Sequence, residues 1–111
     1  MLRLSERQIL EKEVSQKILD KFERSFKPQV EVEIYPIGVM DEAILGIKLV
    51  VEANQYRDVE DCIYLDKQVV TPVVKQLDKF TIVQRIDVES PVLEGKFLIF
   101  LFEWLVHLNE F

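Results

Sequence analysis

The chain predicts an α+β domain, with a small, at least partly antiparallel, three-stranded sheet and three helices in the order α-β-β-α-β-α. Three observations carry that expectation. Apolar residues recur every four positions through Leu10, Val14, Ile18, Phe22 and Phe26. Val30, Val32 and Ile34 alternate with Glu31, Glu33 and Tyr35. Three Gly and four Pro in 111 residues leave few tight turns, which argues against a many-stranded sandwich or barrel. The length fits one domain spanning residues 1–111. A composition of 49% hydrophobic and 31% charged residues is that of a folded protein rather than a disordered one.

The first helix is expected to open at Ser5, where Ser-Glu-Arg-Gln forms a capping box with Gln8, and Leu4 and Ile9 form a hydrophobic staple. Its apolar ridge includes Leu19, and Glu13 and Lys17 stand at the favourable acid-first spacing. Pro28 stops it near Phe26, because the residue before a proline is pushed out of the helical region. The alternating segment from Val30 is a half-buried strand closed by Pro36. Ala43, Leu45, Ile47, Leu49, Val51 and Ala53 line one face of a second strand, and Ile44, Gly46, Lys48, Val50 and Glu52 line the other. The connection is too short for a crossover helix, so the two strands form an antiparallel hairpin.

Residues 54–67 are acidic and fit a loop, a helical turn or a short strand. Val69, Val70, Val73, Val74, Leu77 and Phe80 have helical spacing, and Pro72 is accommodated if Thr71 caps a helix over about 72–80. "FTIVQRIDV" reads as a third strand, although its alternation is imperfect. Ser90-Pro91 then reads as the start of a last helix.

The segment "KFLIFLFEWLVHLNEF" is the most hydrophobic in the chain. As a strand it is apolar on both faces, which its aromatic content favours. As a helix it places Lys96, Glu103, His107 and Glu110 within a wedge of roughly 60°, at ~100° per residue. Gly95 counts against the helix by ~1 kcal/mol. The helix is preferred and the strand stays open. Such a helix is apolar nearly all round and needs cover on more than one side. One way to provide it is a two-fold homodimer with Phe97, Phe100, Trp104 and Leu108 in the interface. The rival is an intramolecular core helix wrapped by the first helix.

Formal net charge is −6, unevenly spread. Residues 1–29 carry seven basic and five acidic residues, net +2, and the remainder is net −8. An acidic body repels phosphates and disfavours nucleic acid. Cys62 is alone, so no intrachain disulfide forms and a reducing compartment is expected. No signal peptide and no membrane span is read, which makes the expected location cytoplasmic.

Catalytic patterns are sparse. Single His107 and Cys62 exclude a His–His metal pair and a thiolate zinc site, and as a nucleophile–base pair they have no feature bringing them together. Gly38, Gly46 and Gly95 are too dispersed for a phosphate loop. Asp58, Glu60, Asp61 and Asp66 have calcium-like oxygen content but lack the glycine and terminal glutamate of an EF-hand, and read as a solvated turn. Asp87, Glu94 and Lys96, in the pattern Asp…Glu-x-Lys, resemble the metal-binding signature of restriction-like nucleases. That resemblance implies a divalent-metal-dependent nuclease with two metal-binding acids and a lysine assisting the attacking water. It requires Lys96 onward to be a strand in the same sheet as Asp87. The simpler reading of these acids is a helix N-terminus. The expectation is therefore a non-enzymatic protein-interaction module, homodimeric or acting as an adaptor, chaperone-like partner or small subunit. No cofactor, metal, nucleic acid or membrane is expected.

Overall fold

A computed structural model describes residues 4–22, 28–38, 41–56 and 59–109. The elements are α1 (Leu4–Leu19), β1 (Gln29–Pro36), β2 (Glu42–Glu52), α2 (Val59–Tyr64), a π-helical segment (Leu65–Val70), α3 (Thr71–Gln76), β3 (Phe80–Glu94) and β4 (Phe97–Leu108). The strands form one antiparallel sheet in the order β1-β2-β4-β3. The architecture is α+β, but the expected three-stranded sheet with three helices is overturned. The antiparallel sheet has more strands than the three expected, and register shifts between Ile82 and Gln84, Arg85 and Asp87, and Glu89 and Val92 interrupt β3. The helices form two stretches, α1 and the run from Val59 to Gln76.

α1 keeps its predicted ridge, with Leu10, Val14 and Ile18 buried. It starts before Ser5, so Ser5 lies inside the helix, and Leu4 and Ile9 are exposed rather than stapled. Regular helix ends at Leu19, and Phe22 packs against the core from the turn beyond it. The proposed continuation to Phe26 lies outside the described residues. α1 runs along the free edge of β1 and satisfies part of it. The Ile34 N–H donates to Glu11 Oε2 at 2.8 Å, and Ser15 Oγ donates to the Val30 carbonyl at 3.2 Å. Side chains that occupy edge groups remove a template for unwanted strand pairing.

β1 and β2 form the expected hairpin, with Val32 opposite Ile47 and Ile34 opposite Leu45. Their connection uses two left-handed residues, Gly38 (φ 67°) and Asp41 (φ 59°). Glycine has no Cβ to clash there, and Asp is among the few other residues that tolerate it.

The second helical run starts at Val59, well before the expected residue 72. Pro72 inside such a run has no N–H to donate and crowds the preceding turn. The chain answers with a wider turn. The Thr71 N–H reaches the Asp66 carbonyl, an i→i+5 bond, just before Pro72 enters the first turn of α3. Thr71 makes no side-chain cap; its Oγ1 instead donates to Asp66 Oδ1 at 2.8 Å.

The last segment is β4, not a helix, and Ser90-Pro91 lies within β3. Glu94 pairs with Phe97 across the two-residue turn Gly95-Lys96. Gly95 at φ 57° takes the first turn position, where a positive φ suits the twist of a hairpin. β4 is then central, bonded to β2 on one side and β3 on the other. Pro91 is tolerated because β3 is an edge strand and Pro91 sits in a bulge between Glu89 and Val92.

One face of the sheet packs on the helices. Ala43, Leu45, Ile47, Leu49 and Val51 of β2, with Phe100, Phe102, Trp104, Val106 and Leu108 of β4, meet Leu65, Val69, Val70, Val73 and Val74. All are buried. Phe100, Phe102 and Trp104 stack in sequence, each centroid 6.2 Å from the next.

Candidate functional site

Two features stand out above this core, an uncovered sheet face and a charged cluster beneath the helices. The uncovered face consists of the alternate positions of each strand. Partners in an antiparallel ladder point the same way, so the register defines its rungs. One rung holds Tyr35, Ile44, Leu105 and Gln84; the next holds Glu33, Gly46 and Glu103; then Glu31, Lys48 and Leu101; then Gln29, Val50, Ile99 and Val92. Ile44, Val50, Ile99, Leu101 and Leu105 are half-buried by their strand neighbours alone, and among the described residues none on this face is fully buried.

At the centre of this face Gly46 leaves a dimple of about 180 Å³, walled by Glu31, Glu33, Tyr35, Lys48, Leu101 and Glu103. A Cβ at Gly46 would meet only the Glu33 carbonyl at 3.8 Å and the Tyr35 ring at 3.9 Å, both ordinary contacts. The backbone therefore does not require glycine there; the missing side chain is what opens the dimple. No ion pair or hydrogen bond joins the Lys48 side chain to another described residue, nor those of Glu31, Glu33 or Glu103.

The charged cluster centres on Arg85. Register shifts between Ile82 and Gln84 and between Arg85 and Asp87 mark one-residue bulges. The extra residues, Val83 and Ile86, are exposed, and Arg85 opposite Trp104 is turned to the helical side. Its guanidinium carbon lies 5.4 Å from the Trp104 ring centroid and 5.9 Å from that of Phe102. Nη2 stands 2.9 Å from Asp66 Oδ1, the oxygen that Thr71 also uses. The distance makes an ion pair, but neither Nη2 nor Nε, both buried, is aligned with an acceptor for a hydrogen bond. The aromatic faces take up part of the charge instead. The cluster ties the π-helical segment to an edge strand, which is a structural role. Nothing in the sequence announces it except the broken alternation around Arg85.

The structure distributes the sequence-predicted interface residues over both faces. Phe100, Trp104 and Leu108 are inside the chain's own core, while Phe97, 38% exposed, lies on the uncovered face with Ile99 and Leu101. The polar stripe drawn for a helix is corrected likewise. Glu103 and His107 share the uncovered face because they are an even number apart on a strand; Lys96 is in the turn, and Glu110 lies outside the described residues.

Asp87 and Glu94 both lie on β3, and β4, which follows the turn at Lys96, is in the same sheet, as the nuclease resemblance requires. They do not converge. Asp87 is opposite Glu103 and Glu94 is opposite Phe97, six β4 positions away, a separation of about 20 Å. Lys96 Nζ is over the Phe97 ring, 5.4 Å from its centroid. Cys62 packs on the helical side while His107 is on the other, so the sheet stands between them. Of the acidic run, Asp58 lies outside the described residues, and Asp66 serves Arg85. Among the described residues no cluster of three metal-binding side chains occurs and no helix is long and apolar enough to cross a membrane. Comparisons with protein-family models, curated proteins and solved structures find no match.

Proposed function

We propose that the protein is an interaction module that works as a homodimer, with the uncovered sheet face as its contact surface. The observation that supports this reading is the composition of β4. Phe97, Ile99, Leu101 and Leu105 face outward while Phe100, Phe102, Trp104, Val106 and Leu108 fill the core. A strand built for one wet face alternates apolar with polar residues; a strand apolar on both faces is built to be covered on both. The helices cover one.

The size is adequate. Four strands about 4.8 Å apart, with eleven residues at about 3.4 Å each, span roughly 700 Å² per copy. A standard stable interface uses about 800 Å² per partner. Light scattering after size exclusion tests the reading. The expected mass is twice 13.1 kDa at micromolar concentration, and Leu105→Asp is expected to give a folded monomer. A wild-type chain that stays monomeric at high micromolar concentration overturns the homodimer.

A further inference from the structure

The uncovered face also carries a pattern that fixes how a second copy would lie on it. We infer that the two-fold axis runs along the rung joining Ile47 and Phe102, so that Lys48 of each copy enters the dimple over Gly46 of the other. The inference rests on the homodimer reading and goes further, because it names the register and the charge contact that selects it.

The argument starts from the symmetry of the rungs. Ile47 and Phe102 are register partners. On either side of them the face repeats in reverse. Ile44 and Leu105 stand three residues from the centre on one side, Val50 and Ile99 three residues on the other. Gly46 and Glu103 stand one residue to one side, Lys48 and Leu101 one to the other. An axis lying across the strands in the plane between two face-to-face sheets keeps β2 over β2 and β4 over β4 and reverses their direction. It therefore sets Ile44 over Val50 and Leu105 over Ile99 at both ends of the patch. In the middle it sets Lys48 over Gly46.

The other two-fold arrangement has its axis along the strands, between β2 and β4. It also matches apolar ends, Ile44 over Leu105 and Val50 over Ile99. The charges separate the two. With the axis along the strands, Glu103 would stand over Gly46, driving a carboxylate into a dimple already flanked by Glu33 and Glu103. Lys48 would face Leu101. With the axis across the strands, an ammonium enters between the Glu33 and Glu103 carboxylates of one rung and meets the face of Tyr35. Like charges opposed across an interface disfavour a register, and opposite charges fix it. Lys48 has no ion-pair partner among the described residues, which suits it to this contact. Gly46 accounts for the space: any larger residue would fill the hole that receives the lysine. Glu31 and Glu33 are on the edge strand β1 and exposed, so their repulsion from the second copy is met at a solvated rim.

Sedimentation equilibrium of wild type, Lys48→Glu, and the double variant Lys48→Glu with Glu103→Lys tests the register. Each chain is first checked for a cooperative thermal transition. Lys48→Glu is expected to weaken dimerisation by at least about tenfold, because two attractive contacts become repulsive. The double variant is expected to recover most of that loss, and wild-type association is expected to fall with added salt. If Lys48→Glu does not fold, Lys48→Met removes the charge with the stem kept, and a loss of about threefold or more is expected. Gly46→Val, which fills the dimple, is expected to weaken the dimer while leaving the monomer folded. If Leu105→Asp dissociates the dimer but neither Lys48 variant nor Gly46→Val weakens it, the register is wrong and the homodimer stands. If Leu105→Asp leaves the dimer intact, the contact surface itself is wrong.

Discussion

The two faces of the sheet are built from the same strands and neighbouring residues, yet they are covered differently. On the helical face every β2 and β4 position from Ala43 to Val51 and from Phe100 to Leu108 is apolar and buried. On the other face six of twelve positions on these strands are apolar, and Glu42, Gly46, Lys48, Glu52, Glu103 and His107 interrupt them. A face meant only for water would be polar throughout. A face meant for a permanent core would not hold two unpaired charges at its centre. The difference teaches that the second face has the mixed character of an association surface, in which apolar area supplies affinity and interleaved charge supplies orientation.

Substitutions can break or sharpen that contrast. The largest effect is expected at Trp104. Trp104→Ala empties a buried site between Phe102 and the helices and should cost about 3–5 kcal/mol in urea unfolding. The adjacent Leu105→Ala, on the outer face, should cost the monomer only about 1 kcal/mol. Equal costs would mean that the two faces are not distinct in the folded monomer. The charged cluster on the helical side comes next. Asp66→Ala leaves buried guanidinium nitrogens of Arg85 with no counter-charge and removes the acceptor of Thr71, with an expected loss of about 1–3 kcal/mol. Arg85→Met, by contrast, should fall within about 1 kcal/mol of wild type, since an apolar chain of similar length replaces a poorly bonded ion. A large loss from Arg85→Met would show that the ion pair does more than hold the π-helical segment.

A smaller effect is expected at the edge. Glu11→Ala removes the acceptor of the Ile34 N–H and should cost about 1 kcal/mol. Hydrogen exchange read at Ile34 should quicken, while that of Ile47, in the sheet interior, should change only by the global loss. The smallest effect belongs to Gly46→Val. Because a Cβ there meets only ordinary contacts, a β-branched residue in the strand should leave monomer stability unchanged or raise it by up to about 1 kcal/mol. Marked destabilisation would show that the backbone needs glycine and that the dimple is incidental.

Much of the fold was legible because local pattern and tertiary role agree. The ridge of α1 and the β1–β2 hairpin obey one period each, and each has one wet side. Legibility failed where a segment had none. Residues 97–102 are apolar at every position, so periodicity could not separate helix from strand, and a chance polar alignment favoured helix. Gly95 carries the correct signal, a turn glycine between two strands, although in a helical frame it counts only as a penalty. Pro91 imitated a helix start because the same residue suits a bulge on an edge strand. In β3 three one-residue bulges reset the alternation, which hid both its length and the inward turn of Arg85. Pro72 on its own predicts a helix start, whereas a π turn lets the helix run through it.

The outer face was half visible. Gly46 within an apolar strand is the usual sign of a close approach or a gap, and alternation puts Lys48 beside it on the less apolar side. What the sequence withheld was the neighbour. Glu33 and Glu103 flank Gly46 only because β2 lies between β1 and β4, and that strand order depends on the last segment being a strand.

The central claim is that a second copy covers this face, and the most direct measurement is the accessibility of one position on it. In a Cys62→Ala background, Leu101→Cys reports on the outer sheet face, and Ile9→Cys, at a position 66% exposed on α1, reports on a surface outside the proposed contact. Alkylation rates are followed as protein concentration is raised from nanomolar to high micromolar. The account predicts that the rate at position 101 falls as dimer forms while the rate at position 9 stays constant. Rates at both positions that do not change with concentration would contradict it.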